Sequence, residues 1–236
     1  MQTLIDEVVD GVHDDADELL NELPLAERFG VSRGVAREAL RALEERRLVS
    51  VRHGRGARVL PPDGWDLLDP DILTAVAVRP DRFDLLDQVL ECRRIVEGEA
   101  AALAAERATD EGLEALADAL AAMKAAARAS GPARRAGERL LEAETVFHRR
   151  LVALAQNRPL AQMLEPVHIA LATARQELVD GRVPALVRQH ERLAAAVRAR
   201  DPAAARTALH EQVDQLRRWL PGESGRHPRA RRASPA

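Results

Sequence analysis

Carboxylate and imidazole side chains in the second half of the chain have the types and spacing of metal ligands. Glu144 and His148 are four residues apart, so on a helix they lie on the same face. His190 follows far enough along the chain to belong to another helix. Carboxylate and imidazole groups that meet inside a helical bundle can bind a divalent metal such as zinc, nickel or manganese. The alternative is a polar cavity whose histidines are hydrogen bonded and which holds no metal.

The same cavity could bind a small carboxylate, because a guanidinium and a carboxylate form paired, charge-assisted hydrogen bonds. Arg93 is the candidate charge partner, and the alternative is a solvated Arg93 that pairs with Glu97 four residues on. His168 and Arg175 fall on a middle helix and are candidates for the lining, with an ordinary structural role as the alternative for each. The candidate effector-binding residues are therefore Arg93, His148, His168, Arg175 and His190.

A second set of residues that could do chemistry lies near the N-terminus, where arginines recur every four positions. Arg33, Arg37 and Arg41 share one face of a predicted helix. Ser32 precedes this helix and is a good N-cap. Another face carries apolar residues at helical spacing, namely Ala36, Ala39, Leu40 and Leu43. A helix with one side packed and an exposed arginine row suits the major groove of DNA.

The segments around this helix predict a winged helix-turn-helix. Gly30 occupies a tight turn after a preceding helix, and Asn21 can cap that preceding helix. Residues 48–51 and 57–60 alternate like two short strands around a basic, glycine-containing turn. Such a wing suits phosphates or a minor groove. The candidate DNA-binding residues are Ser32, Arg33, Arg37, Arg41, His53, Gly54 and Arg55.

The distribution of charge supports a nucleic-acid partner for this region. Residues 1–27 contain nine acidic and no basic residues. Residues 28–58 contain nine arginines against three glutamates, whereas the whole chain has a formal net charge of only −3. Positive charge concentrated on one motif is the electrostatic footprint of DNA binding, and the alternative is a solvated charged face.

Composition restricts the fold and excludes several classes of protein. Of the 236 residues 46% are hydrophobic and only 2% are aromatic, which favours packed helices over sheets. Cys92 is the single cysteine, so an intrachain disulfide is excluded, and its helical context predicts a buried side chain. No apolar run is long enough to span a membrane, and the acidic N-terminus is not a signal peptide. We expect a soluble, cytoplasmic protein.

The chain divides into four predicted parts. Residues 1–62 form the winged helix-turn-helix, and 63–80 form a linker with a short helix that begins after Asp69. Residues 81–220 form an all-helical domain for effector binding and dimerisation, and 221–236 form a disordered basic tail. The predicted fold is mainly α, with the winged helix-turn-helix followed by an antiparallel bundle of six to seven helices. Six of these helices are predicted at 82–108, 110–130, 134–156, 158–179, 184–200 and 202–220.

The complete pattern resembles the GntR family of bacterial transcription factors, in the subfamily with an FCD-type ligand domain like that of FadR. In the first half the resemblance rests on LAERFGVSR at 25–33, VAREAL at 35–40 and HGRG at 53–56. In the second half it rests on RRIVE at 93–97, FH at 147–148, QH at 189–190 and DP at 201–202. The segment WDLLDP at 65–70 is similar to linkers of members that respond to sugar acids.

The resemblance implies functional roles for individual residues. Arg33 and Arg37 would read bases and phosphates, and His53 and Gly54 would reach the groove from the wing. A homodimer would bind an inverted-repeat DNA operator, because one recognition helix reads only a few base pairs. The chain departs from the family at Leu23, which replaces an arginine that often contacts DNA, so operator affinity or half-site preference is expected to differ.

The resemblance also implies a metal set with one departure. Family members hold the metal with one aspartate and three histidines, and the last two histidines are 22 residues apart. Counting the same distance from His190 reaches Gln212, so the implied set is Glu144, His148, His190 and Gln212. His210 lies two residues away, about 200° around the helix, and is expected to face elsewhere.

Together these patterns predict a ligand-responsive, DNA-binding transcriptional repressor that answers to a small carboxylate or a sugar acid. One rival is a DNA-binding protein whose helical domain responds to no effector. Another is a metal-dependent enzyme built on the bundle. A di-metal bundle would carry paired Glu-x-x-His motifs on separate helices, and the sequence has no such pair. We therefore expect no enzymatic activity.

Overall fold

The computed structural model describes residues 1–13, 19–52, 56–77, 79, 83–129, 133–174 and 182–219. It divides into two compact units, Met1–Val78 and Arg79–Ala236. The predicted mainly helical fold with an N-terminal helix-turn-helix is confirmed. Several predicted features lie outside the described residues: the wing tip with His53, Gly54 and Arg55, the cavity candidate Arg175, and the tail 221–236.

The first unit contains four α-helices and a hairpin within its described residues. The helices are α1 (Gln2–Val9), α2 (Glu22–Phe29), α3 (Arg33–Glu45) and α4 (Pro70–Ala77). The strands are β1 (Val49–Arg52) and β2 (Gly56–Val59). α2 packs on α3, and α1 packs on α4. The core of this unit is apolar, with Ile5, Leu40, Leu43, Leu48 and Ile72 all buried.

The turn between α2 and α3 is built as its residues predict. Gly30 ends α2 with φ of 63°, a left-handed conformation that costs glycine little. Ser32 then caps α3, where its side-chain oxygen accepts a hydrogen bond from the Val35 amide at 3.3 Å. The predicted cap at Asn21 is wrong in its chemistry, because Asn21 occupies the N-cap position of α2 but its amide donates to the Leu19 carbonyl.

The wing is a short antiparallel hairpin. Its register pairs Val49 with Val59 and Arg52 with Gly56. Leu20 extends the sheet through two 2.8 Å backbone hydrogen bonds with Ala57. These bonds fix the hairpin to the chain just before α2, so the wing and the helix-turn-helix share one small core.

The second unit is a bundle of long helices. They are α5 (Phe83–Arg107), α6 (Asp110–Arg128), α7 (Ala133–Leu154), α8 (Arg158–Ala174), α9 (Val183–Arg198) and α10 (Pro202–Trp219). α5 is central, since it packs on α7, α8, α9 and α10. Thr109 caps α6 by accepting a hydrogen bond from the Gly112 amide. Among the described residues, none of the helices is long and apolar enough to cross a membrane.

Small side chains allow α5 to approach its neighbours closely. Ala101, Ala104 and Ala105 of α5 are fully buried in the main core of the bundle, together with Phe147 and Leu151. Helices separated by alanines pack at short distance, which brings polar groups on neighbouring helices within reach of one another. Cys92, predicted to be buried, is instead exposed on α5.

Candidate functional site

The candidate DNA-reading face lies on α3 in the first unit. Ala36, Leu40 and Leu43 of α3 are buried. Arg33, Arg37 and Arg41 are exposed, as an arginine row for a groove requires. Ala39, the fourth residue of the predicted apolar stripe, is only partly buried.

The three arginines differ in their partners. Arg33 Nε and Arg37 Nε donate to the two carboxylate oxygens of Glu22, at 2.8 and 2.6 Å. Arg41 pairs instead with Glu38, three residues before it on the same helix, at 2.8 Å. Glu22 begins α2, so the helix that supports α3 also supplies the carboxylate that binds two of its arginines.

The second unit holds a buried polar cluster around Glu97. This carboxylate is fully buried on α5. It accepts a 2.5 Å hydrogen bond from Arg93 Nε, lies 2.6 Å from His148 Nδ1, and lies 3.1 Å from His168 Nε2. Burial alone would raise the pKa of Glu97, but Arg93, His148 and His168 hold it well below its ordinary value. Glu97 is therefore an ionised group shared by α5, α7 and α8.

The candidate metal ligands meet next to this carboxylate. His148 Nε2 and His190 Nε2 are 3.0 Å apart. Glu144 Oε1 lies 3.8 Å from His148 Nε2 and 3.5 Å from His190 Nε2. All three residues are buried. The structure thus brings together three of the four residues that the sequence proposed as metal ligands.

Hydrogen bonding on the far side of each ring favours metal binding by the near side. His148 Nδ1 faces Glu97, and His190 Nδ1 lies 2.8 Å from the Leu186 carbonyl oxygen. Each Nδ1 faces an acceptor and is best satisfied when protonated, so each Nε2 then presents a lone pair. Two imidazole nitrogens bound to one tetrahedral zinc lie roughly 3.3 Å apart, given bonds of about 2.0–2.1 Å. The residues present therefore fit a divalent metal.

A second group of potential ligands shares His148 but is less suited to a cation. Glu97, His148 and His168 are close enough to hold a metal ion. However, Arg93 is buried and bonded to the same carboxylate. The other carboxylate oxygen of Glu97 faces His148 Nδ1 and His168 Nε2, so both oxygens already have partners. The Glu144, His148 and His190 set is therefore the better candidate metal site.

Arg93 links the two groups. Its Nη2 lies 3.2 Å from His148 Nε2, beside the atoms that would hold the metal. His168 faces Glu97 rather than the metal set, and burial lowers its pKa, an effect that Glu97 partly opposes. From the sequence, Glu97 is expected only as the partner of a solvated Arg93. Its spacing of four residues from Arg93, a cavity candidate, is the signal that could have placed Glu97 in the cluster.

The structure gives different positions to Gln212 and His210. Gln212 is buried on α10, and within the described part of the chain neither its amide nitrogen nor its amide oxygen has a hydrogen-bond partner. Such a group costs free energy unless a ligand or water satisfies it. His210 packs over Gly98 of α5 and belongs to neither group of potential ligands found among the described residues.

Each of the two units matches a known protein family. Residues 2–59 match the bacterial regulatory proteins of the gntR family, and residues 88–215 match the FCD domain. The galactonate operon transcriptional repressor of Escherichia coli is 31% identical over 92% of this chain and 93% of its own length. The transcriptional regulator LutR of Bacillus subtilis is 30% identical over 87% of this chain and 92% of its own length.

Solved structures agree on the fold. Lar of Listeria monocytogenes superposes with a TM-score of 0.65 at 18% identity, covering 93% of this chain and 95% of its own. The two family matches and the relatives in Escherichia coli and Bacillus subtilis identify the protein as a DNA-binding transcriptional regulator with a helical ligand domain, rather than an enzyme. It belongs to the GntR family, in the branch that carries an FCD domain.

Proposed function

We propose that this protein is a repressor whose helical unit binds a small carboxylate, such as a sugar acid, and thereby changes its affinity for an operator. The observation that carries this proposal is the position of Arg93, whose guanidinium lies 3.2 Å from His148 in a buried polar cluster. A carboxylate there would be held by a guanidinium on one side and, on the other, by a metal bound to Glu144, His148 and His190. The galactonate repressor supports an acidic sugar as ligand class.

The proposed metal is zinc, nickel or manganese, held by Glu144, His148 and His190. When bound, it would supply a Lewis acid that accepts a carboxylate oxygen. Gln212 is the proposed fourth residue of the set, and its unsatisfied amide supports a role in ligand contact. Glu97 keeps the His148 ring oriented, and Arg93 supplies the positive charge for the effector.

The proposed assembly is a cytoplasmic homodimer on double-stranded DNA. A two-fold dimer places two recognition helices on an inverted repeat, as one α3 covers too few base pairs for specificity. Residues Ser32, Arg33, Arg37 and Arg41 are the proposed contacts from this helix, with His53, Gly54 and Arg55 from the wing. Effector binding would shift the population between dimers that fit the operator and dimers that do not.

The experiment is operator binding by fluorescence anisotropy with DNA from upstream of the protein's own gene. Wild type and Arg93→Lys are compared with a panel of hydroxy acids and aldonic acids that includes galactonate. Each is measured after chelation and after reloading with zinc, nickel or manganese. We expect one acid to change the operator Kd of wild type. Arg93→Lys should keep operator affinity but need roughly tenfold or more acid, since lysine lacks the bidentate fork.

Arg217→Lys is the matched control. Arg217 forms a bidentate, partly buried pair with Asp87 at 2.8 and 2.6 Å in the same unit, outside the polar cluster. The acid should change the operator Kd of the Arg217→Lys variant as it does that of wild type. A wild-type Kd that no acid changes would establish the effector-blind alternative. An unaltered response in Arg93→Lys would remove Arg93 from the site.

A further inference from the structure

We propose that Glu22 is a positioning residue for operator specificity, because its carboxylate holds Arg33 and Arg37 of the recognition helix in fixed orientations. The proposal rests on the proposed operator binding by α3. It concerns a residue on α2, the helix before the recognition helix, and a contact made in the protein without DNA.

The hydrogen bonds among Glu22, Arg33 and Arg37 support the proposal that Glu22 orients the two arginines. Glu22 binds Arg37 through two hydrogen bonds, from Nε at 2.6 Å and from Nη2 at 3.1 Å. It binds Arg33 through Nε at 2.8 Å. These bonds occupy the Nε side of each guanidinium, so the edge that bears Nη1 is not used by Glu22 and is available to other acceptors. That outer edge can still bind guanine O6 and N7 as a pair.

A carboxylate near DNA could instead block binding by repelling the phosphates, but the charge balance argues against this role for Glu22. One carboxylate serves two guanidinium groups, so the three side chains keep a net positive charge for DNA. Hydrogen bonds from Arg37 and then Arg33 lower the pKa of Glu22 to about 2, so the carboxylate is ionised throughout the neutral range. Glu22 is also less exposed than its partners, with 25% of its side chain accessible against 67% for Arg33 and 50% for Arg37. The carboxylate is therefore the anchored partner, and the arginines extend from it.

Orientation and blocking predict different effects on specific and nonspecific binding. A carboxylate that blocks DNA weakens binding to every sequence equally, so its removal tightens all complexes alike. A carboxylate that orients two arginines improves only the contacts that depend on angle and distance. Phosphate contacts tolerate a mobile arginine, but a bidentate guanine contact does not.

The test uses the full-length protein and two duplexes of equal length, the operator and an unrelated sequence, over a range of salt concentrations. Glu22→Gln keeps the shape of the side chain and removes the charge. We expect it to bind the unrelated duplex a fewfold more tightly, because one negative charge near phosphate is lost. The ratio of operator to nonspecific affinity should fall roughly tenfold or more, as expected when an oriented base contact is lost.

Two further variants separate charge from position. Glu22→Asp keeps the charge but shortens the side chain by one methylene, so it should lower the ratio without tightening nonspecific binding. Glu27→Gln removes a charge from the same helix, where Glu27 is exposed and forms no ion pair identified among the described residues. It should leave the ratio unchanged.

The possible failures are distinguishable. If wild type does not distinguish the operator from the unrelated duplex, the proposed operator binding fails, and this inference falls with it. If wild type does distinguish them and Glu22→Gln keeps the same ratio, Glu22 does not position the arginines, whereas the proposed function stands. An equal tightening of both duplexes by Glu22→Gln would show that the carboxylate blocks DNA.

Discussion

At the scale of a residue, Glu97 shows how one buried side chain can organise a polar cluster. Its carboxylate lies within hydrogen-bond distance of Arg93, His148 and His168, and all four groups are buried. A buried charge is costly unless it is paired, and here each charge depends on the other. The Glu97–Arg93 ion pair therefore adds little net stability, whereas removing one partner alone destabilises the fold strongly, because the other charge stays buried.

We predict that Glu97→Gln lowers the free energy of unfolding by about 3–5 kcal/mol, because it leaves the Arg93 charge buried without a counterion. Glu99→Gln is the matched control, since Glu99 pairs with Arg206 at the surface, with 57% and 37% of the side chains exposed. Exposed pairs contribute at most about 1 kcal/mol. Urea unfolding, monitored by circular dichroism, measures the free energy of unfolding of both variants. Equal losses for the two variants would show that the Glu97 pair behaves as a surface pair.

The lowered pKa of Glu97 predicts how the difference in unfolding free energy between wild type and Glu97→Gln depends on pH. The pKa of Glu97 is lower in the folded state than its ordinary value of 4.5. A depressed carboxyl pKa stabilises the fold above the ordinary value, and this contribution is lost as the pH falls toward the folded-state pKa. The contribution of the Glu97 carboxylate to the advantage of wild type over Glu97→Gln should therefore be fully present above about pH 4.5 and should shrink below it.

At the scale of elements, the bundle depends on how closely its helices approach. Gly112 lies in the first turn of α6, and a Cβ at this position would overlap Leu154 Cδ2. Leu154 is buried in the main core with Phe147 and Leu151, so it has little room to move. Gly137 of α7 is different, because a Cβ there would have no heavy atom within 4 Å.

These two glycines predict opposite effects of the same substitution. Gly137→Ala should raise the free energy of unfolding by roughly 0.5–1 kcal/mol, since alanine favours helix over glycine. Gly112→Ala should lower it by roughly 1–3 kcal/mol, since overpacking the core outweighs that gain. Thermal and urea unfolding give the sign for each. A stabilised Gly112→Ala would show that Leu154 can shift without cost.

At the scale of the whole molecule, the two units have separate cores. The first unit extends to Val78 and includes α4, which packs on α1 and buries Ile72, Leu73 and Val76. The division proposed from the sequence, with a DNA-binding part ending at residue 62, places α4 in a linker. A cut after residue 62 would separate α4 from α1, whereas a cut after Val78 keeps them together.

We therefore predict that a fragment of residues 79–236 is a folded, helical dimer. A fragment of residues 63–236 should also fold, but it should bind a hydrophobic dye such as ANS more strongly, because α4 lacks α1. Circular dichroism, light scattering and dye fluorescence compare the two. A fragment 79–236 that is monomeric would contradict the proposed dimerisation role, and an unfolded one would contradict the independence of the unit.

The sequence by itself determined the local structure and the class of this protein. The Gly30 turn, the Ser32 cap and the arginine row are encoded by residue types within a few positions of one another. Glu144 and His148 could be paired for the same reason, since four residues on a helix fix a common face. These features depend on backbone geometry that neighbouring residues set.

Only the tertiary structure decided which partners each charged side chain has. Glu97 lies 51 and 71 positions from His148 and His168 in the chain, and Glu22 meets Arg33 and Arg37 only because α2 packs on α3. Spacing along one helix predicts a face, but it does not specify the rotation and distance of a neighbouring helix. Those are set by the packing of many small apolar side chains, an interaction that is collective and that no short motif records.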